Sequence, residues 1–393
     1  MSIVISSAAR TPTGKFNGKL SSLTAPELAA AAIRTAVLRA GIQPQDIDYV
    51  IMGNVLSAGL GQAPARQAAL MAGIPATSSA MVVNQVCASG MMAVAIAGQM
   101  IRSGMANIVV AGGMESMSQA PHLLKGMRSG VKLGDASLVD SLVYDGLICA
   151  TEHWHMGNAA EAIARQFNVS REEQDAFALR SHQRAVAAQA EGAFADEIVP
   201  IQLPSTGHGD GPVIAADEGP RPDTTPEALA RLKPFFDANG TVTAGNASQI
   251  SDGAAALVVM SDETARERDA AILARLEAAT YVGIEPARLF EAPVLAGEKL
   301  CGMTGRAIND FDLIEVNEAY AAQCLANGNV LGWDWGRVNV KGGAVALGHP
   351  LGASGARILV TLLHSMTQQE AERGAALICH GGGGAAAMAL RRT

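Results

Sequence analysis

Asp46-Ile47-Asp48-Tyr49-Val50-Ile51-Met52-Gly53-Asn54 and Asp310-Phe311-Asp312-Leu313-Ile314-Glu315-Val316-Asn317 decide the fold. Each reads as a helix-to-strand junction, and the two stand 264 positions apart. Working outward, Cys87-Ala88-Ser89-Gly90 and Gly352-Ala353-Ser354-Gly355 each lead into an apolar helix pattern, at an offset of 265. A buried-strand run and a glycine cluster follow each helix, Ile108-Val109-Val110-Ala111-Gly112-Gly113 in one case and Ala376-Leu377-Ile378-Cys379-His380-Gly381-Gly382 in the other. Three matches at nearly one offset indicate a duplicated α/β unit. Residues 1–119 with 250–270 are expected to form the first half and 271–393 the second.

The stretch 120–249 has no counterpart and reads as an insertion in the first half. It mixes loop segments such as Ser205–Pro212 with a helix pattern over Ser170–Ala190, opened by the capping box Ser170-Arg171-Glu172-Glu173. An insertion of this length in a compact domain is expected to be a lid or binding segment.

Composition supports a layered enzyme. Of 393 residues, 49% are apolar, 17% charged and 4% aromatic, which excludes a disordered chain or coiled coil. The 42 glycines show no three-residue period, so collagen is excluded too. A net charge of −8 argues against a global polyanion-binding surface, and no basic, aromatic-interleaved patch for nucleic acid is present. Five cysteines without a CxxC suggest free thiols in a reducing compartment. The opening residues run straight into a strand pattern with no leader-like features, and no apolar run approaches the ~20 residues of a membrane span. A soluble cytoplasmic protein without membrane association is the expectation.

Several segments carry candidate chemistry. Cys87 sits where a loop turns into a helix, and the free N–H groups there are expected to stabilise a thiolate and lower its pKa; a small packing cysteine is the plainer reading. Pro350 holds His349 in a turn, where it would activate a thiol or polarise a carbonyl, or merely be solvated. The glycines after Cys379 and His380 permit close approach of a ligand to backbone N–H groups, or only a tight turn. Asn317 and Glu318 end a strand, where they would face a site or cap the next helix. Cys149, His153 and His155 have metal-ligand spacing but lack a fourth ligand, so no metal is expected. Neither a P-loop nor a complete dinucleotide fingerprint occurs.

Taken together these segments resemble the thiolases, specifically the acetyl-CoA acetyltransferase group, essentially end to end. Further carriers of the resemblance are Arg10-Thr-Pro-Thr-Gly-Lys-Phe16, Gly112-Gly-Met-Glu-Ser-Met117, His155-Met-Gly157, Thr243-Ala-Gly-Asn-Ala-Ser248 and Asn317-Glu-Ala319. The resemblance implies an α/β, five-layered α-β-α-β-α fold of two duplicated halves with an inserted loop domain that binds coenzyme A. It implies Cys87 as acyl-carrying nucleophile, His349 as its proton acceptor and Cys379 as the acid/base acting on a second acetyl-CoA. Asn317, through a water, would form one oxyanion site with His349, and the N–H groups of Cys87 and Gly381 the other. His155, Met156 and Ser248 would contact pantetheine and Arg221 the nucleotide end. No cofactor is implied, since coenzyme A thioesters are substrates. A homo-oligomer, a dimer of dimers, is the family expectation, with 112–134 as a contact segment.

The chain departs from the pattern in places. His380 stands where the family often has Ile, Gln249-Ile-Ser251 resembles degradative members, and Ala292-Pro-Val-Leu295 replaces a Gly-Pro-Ile-Pro segment. The reaction implied is condensation of two acetyl-CoA to acetoacetyl-CoA and its reversal. The alternatives are a broader-chain 3-ketoacyl-CoA thiolase, a silent acyl-CoA-binding scaffold, and a metal-dependent hydrolase at Cys149, His153 and His155.

Overall fold

A computed structural model describes residues 1–205 and 210–393, so the centre of the expected Ser205–Pro212 loop, 206–209, lies outside the described residues. The backbone frame is one ten-stranded sheet. In the first half it comprises β1 (Ile3–Arg10), β2 (Gly14–Lys15), β3 (Tyr49–Gly53), β4 (Ser79–Val83), β5 (Ile108–Ser116) and β6 (Ser251–Ser261). In the second it comprises β7 (Ala274–Gly283), β8 (Leu313–Val316), β9 (Arg373–His380) and β10 (Gly384–Arg392).

The strand order β4-β3-β5-β6-β1-β7-β10-β9-β8 displays the duplication, with β2 pairing at the end of β6. Read from the middle outward, β1-β6-β5-β3 and β7-β10-β9-β8 are equivalent series, and β3 and β8 each run parallel to their inner neighbours. A parallel bridge between Ile314 and Val338 stands where β4 would have its equivalent. The halves meet at a short antiparallel seam in which Val4 faces Arg275 and Ile5 faces Ala274.

Strand alternation sorts the side chains of the sheet into three cores, because successive side chains point to opposite faces. Ala255, Leu257 and Val259 of β6 pack with Ala386, Met388 and Leu390 of β10 around the central helices α3 (Ser89–Arg102) and α8 (Leu351–Gln368). The intervening Ala254, Ala256, Val258 and Met260 turn outward to a core shared by α1 (Ala25–Arg39) and α2 (Pro64–Met71), in which Leu28, Ile33 and Val37 are buried. On the other side, Ala385, Ala387 and Ala389 cover α6 (Ala292–Thr304) and α7 (Ala321–Leu331). The result is the five-layered α/β architecture. Each fully buried Leu, Ile or Val contributes about 1.5–3 kcal/mol of burial energy, so the alternating pattern strongly fixes the register.

The central helices approach at their glycines. A Cβ on Gly90 would come within 2.7 Å of Ala356 N, and one on Gly355 within 2.6 Å of Met91 N. These are the matched glycines of the two duplicated segments, and their smallness serves contact between the helices. Glu115, at the end of β5, locks the same region. Its carboxylate accepts from Val55 N, Leu56 N, Gly352 N and Asn54 Nδ2 at 2.7–3.0 Å. It thereby joins the first turn of α8 to the loop after β3.

Within 120–249, α4 (Met156–Gln166) and α5 (Arg171–Ala190) are the main helices. The capping box forms as expected: Ser170 Oγ accepts from Glu173 N, and Glu173 accepts from Ser170 N at 2.7 Å. Buried Arg10 at the end of β1 holds this region down, pairing with Glu197 and Asp217, each at 2.7 Å. Among the described residues no helix is long and apolar enough to cross a membrane.

Candidate active site

Val86 takes a left-handed conformation with φ 48°, costly for a β-branched residue. Asn84 Oδ1 accepts its N–H at 3.0 Å, and Ser89 Oγ donates to its carbonyl at 2.6 Å while accepting Gln85 N–H at 2.8 Å. This elbow presents Cys87 one residue before Ala88, the N-cap of α3. The backbone N–H groups of Gly381 and of Cys87 itself favour the thiolate of Cys87.

The expected fall in its pKa does not occur. Burial dominates, and despite those two N–H groups it pushes the thiol up to about 12, with the Glu115 charge adding to the rise. A helix terminus lowers a thiol pKa where solvent shares the stabilisation of charge; a desolvated pocket reverses the balance. Cys87 is therefore a protonated thiol at rest and needs a base.

His349 is placed to supply one. Its backbone N–H donates to Gln249 O at 3.0 Å and Ser251 Oγ at 3.2 Å, and Pro350 caps α8 immediately after it. Burial, then the nearby Arg357 charge, lowers its pKa to about 3, so the imidazole is neutral. Asn317, just beyond β8, places Nδ2 at 3.4–3.5 Å from the ring nitrogens, and its buried Oδ1 has no partner among the described residues. Cys379 enters from the end of β9 in the second half. Burial, and then the Cys87 charge, holds its thiol well above the usual range.

A narrow cavity gathers Val86, Cys87, Met156, Ser248, Tyr320, His349, Cys379 and Gly381. It adjoins an open cleft of about 450 Å³ lined by Lys15, Phe16, His155, Arg221, Phe235, Phe236, Ser248 and His349. The structure thus brings Cys87, His349, Cys379, Gly381 and Met156 to one cavity and His155 and Arg221 to its entrance; Ser248 belongs to both, and Asn317 stands behind His349. His155 also caps α4 by accepting Gly157 N–H on Nδ1 at 3.0 Å. Arg221 N donates to His182 Nδ1 at 3.2 Å at the outer end. Cys149 contacts Thr151 Oγ1 at 3.2 Å, and among the described residues no group of His, Cys, Asp and Glu is arranged to hold a metal.

Sequence reading missed the aromatic wall of the cleft. Phe236 stacks on His155 with centroids 4.8 Å apart and meets Tyr320 edge-on at 6.3 Å, while Phe235 is 77% exposed. Two adjacent phenylalanines within an aromatic-poor chain were the available signal. Lys15 and Phe16 were visible only as part of the opening motif.

The arrangement unites two thiols, an imidazole and backbone N–H donors at the end of a cleft suited to an extended ligand. Residues 3–263 match the family model "Thiolase, N-terminal domain" and 270–392 match "Thiolase, C-terminal domain". The chain belongs to the thiolase family, an acyltransferase family. It is 49% identical over 390 residues to an acetyl-CoA acetyltransferase of Pseudomonas aeruginosa, covering 99% of each chain. It is 50% identical over 390 residues to an acetyl-CoA acetyltransferase of Escherichia coli K12, covering 99% of this chain and 98% of that one. The crystal structure of the Bacillus anthracis acetyl-CoA acetyltransferase superposes with a TM-score of 0.97 at 40% identity, covering 100% and 99%.

Proposed function

We propose that the protein is an acetyl-CoA C-acetyltransferase, joining two acetyl-CoA into acetoacetyl-CoA and CoA and catalysing the reverse thiolysis. The observation that carries this reading is the convergence of Cys87 and Cys379, one from each half, on the cavity that His349 also lines.

Cys87 sulfur attacks the acetyl carbonyl while its proton passes to His349 Nε2; the N–H groups of Cys87 and Gly381 receive the developing oxyanion. Collapse breaks the C–S bond to CoA, which departs with the proton held by His349, leaving acetyl-Cys87. Cys379, its thiol proton passed to His349, then takes a methyl proton from a second acetyl-CoA. The enolate oxygen is held by His349 and by Asn317 through a water. Its carbon attacks acetyl-Cys87, releasing the Cys87 thiolate and acetoacetyl-CoA; His349 returns its proton to Cys87 and Cys379 keeps the methyl proton. Two oxyanion sites answer the two separate negative charges that this chemistry creates.

For the carrier, His155, Met156 and Ser248 would line the pantetheine path and Arg221 would meet the nucleotide end. No further cofactor enters the scheme. Leu147, Met156, Leu289 and Phe290 close the inner cavity, which favours an acetyl group over longer chains. A chain-length series of 3-ketoacyl-CoAs in thiolysis tests the broader-chain reading. We place the enzyme in the cytoplasm as a homotetramer, a dimer of dimers. Exposed Leu124, Met127, Val131, Leu133 and Leu138 support association, and a monomer in sedimentation would contradict it.

The decisive experiment incubates labelled acetyl-CoA with the enzyme and maps the label. Acyl transfer to Cys87 is expected. Normal acetoacetyl-CoA thiolysis by Cys87→Ala would sink the assignment.

A further inference from the structure

The ring of His380 stands where β9 ends and the run Gly381–Gly384 begins. Gly381 lines the inner cavity with Cys87, and its N–H favours the Cys87 thiolate, yet it lies in the most freely rotating backbone a chain can have. Gly382 and Gly383 both take positive φ, 85° and 91°, and no side chain of the run can anchor it. A donor that works by being pre-aimed needs something to aim it.

His380 is the adjacent side chain. Its Nδ1 lies 2.8 Å from the Gly381 carbonyl, and because a carbonyl only accepts, Nδ1 carries the proton and Nε2 a lone pair. That lone pair faces Gln85 Nε2 at 3.5 Å, a long contact reaching into the elbow two residues before Cys87. The ring lies over Gly384, where a Cβ would come within 2.5 Å of Nε2. Gly381 itself rests on Val86, where a Cβ would come within 3.3 Å of Cγ1. The loops bearing the two N–H donors, one from each half, therefore meet at Val86 against Gly381 and at Gln85 against His380.

We infer that His380 is a positioning residue for acyl transfer: with Gln85 it fixes the Gly381 N–H relative to the Cys87 N–H, so that both meet the oxyanion formed when Cys87 is acylated. The inference rests on the acyl-transfer reading above. His380 touches no reacting atom and acts through the 381 peptide.

The test is single-turnover acylation of Cys87 by labelled acetyl-CoA, with steady-state KM measured alongside. Acylation by the unaltered enzyme comes first. Failure there overturns the acyl-transfer reading, and this inference with it, before any variant is made. Given a competent enzyme, His380→Leu is expected to slow acylation at least about tenfold with KM shifted less than about twofold, as misaligned donors act on the transition state and not on binding. His380→Asn, whose amide nitrogen can replace Nδ1 toward the Gly381 carbonyl, restores most of the rate. Gln85→Leu, which leaves the strand and turn intact, slows acylation severalfold, and the double variant Q85L/H380L is no slower than His380→Leu alone. Wild-type acylation in His380→Leu or Gln85→Leu overturns the inference. So does a loss in His380→Leu that His380→Asn shares in full, or additive losses in the double variant.

Discussion

Ser354 Oγ lies 2.6 Å from Nδ1 of His349 and donates its own proton to the Pro350 carbonyl at 2.8 Å. A hydroxyl has one proton, so Nδ1 must supply the hydrogen between them, and the pattern assigns Nε2 as the unprotonated nitrogen. Ser354 belongs to the second copy of the duplicated segment; its first-copy equivalent, Ser89, braces the Cys87 elbow. Ser354→Ala is expected to lower kcat for acetoacetyl-CoA thiolysis at least about tenfold by freeing the tautomer, with KM nearly unchanged. A KM effect without a kcat effect would count against tautomer control.

Cys379→Ala should separate the half-reactions. Removal of the second thiol leaves the first acetyl transfer largely intact and abolishes carbon–carbon bond formation, by at least about a hundredfold. Labelled acyl-Cys87 and acetoacetyl-CoA, quantified in the same samples, provide the check. Equal loss of both products would contradict distinct roles for the two thiols.

Stability in acid should carry a signature of His349. Its pKa falls from 6.5 unfolded to about 3 folded, chiefly through burial. Between those values the unfolded chain binds a proton that the folded chain refuses. The stability that depends on the neutral ring is complete above pH 6.5 and is lost as pH falls toward 3, at roughly 1.4 kcal/mol per pH unit. His349→Asn should flatten the urea-unfolding stability curve over pH 6.5–4.5 by an amount of this order. Parallel curves would show that the ring charges without penalty in the folded state.

Glu115 makes a prediction about assembly rather than chemistry. Glu115→Gln turns an acceptor oxygen into an NH₂ facing backbone N–H donors, at a cost of about 2–3 kcal/mol. Denaturant midpoints measure it. A change below about 0.5 kcal/mol would mean that the four-donor clamp carries little of the fold's stability.

Gly355→Ala places a methyl group against Met91 N across the central helix pair, and a loss of about 3 kcal/mol or failure to fold is expected. Gly302→Ala, on α6 with open space around a Cβ, is the control and should be neutral or slightly stabilising. Similar effects at both positions would argue against tight crossing of the central helices.

Much of this architecture was legible in the chain. The repeated junctions near Asp46 and Asp310 announced two equivalent halves, because duplicated backbones keep duplicated turn and core patterns. The elements bearing Cys87, Asn317, His349 and Cys379 were placed by strand ends and helix starts, which are local properties. Desolvation was not legible. The sequence around Cys87 shows a helix N-terminus but not Tyr320, Leu351 and Phe290 closing over it, and those decide the direction of its pKa. Gly90 and Gly355 were readable as matched positions of the repeat, but the partners they admit, Ala356 and Met91, lie 266 and 264 positions away. Phe235 and Phe236 escaped notice because no periodicity governs a loop that reaches a cleft by tertiary folding.

The seam between β1 and β7 is only two residue pairs long, yet Cys87 and Cys379 reach their common cavity from opposite sides of it. The cavity that joins the two thiols is thus a property of the docked pair and of neither half. Turnover should act as a sensor of alignment between the halves: a slippage too small to alter helix content would part the two thiols and silence the enzyme while each half remained folded.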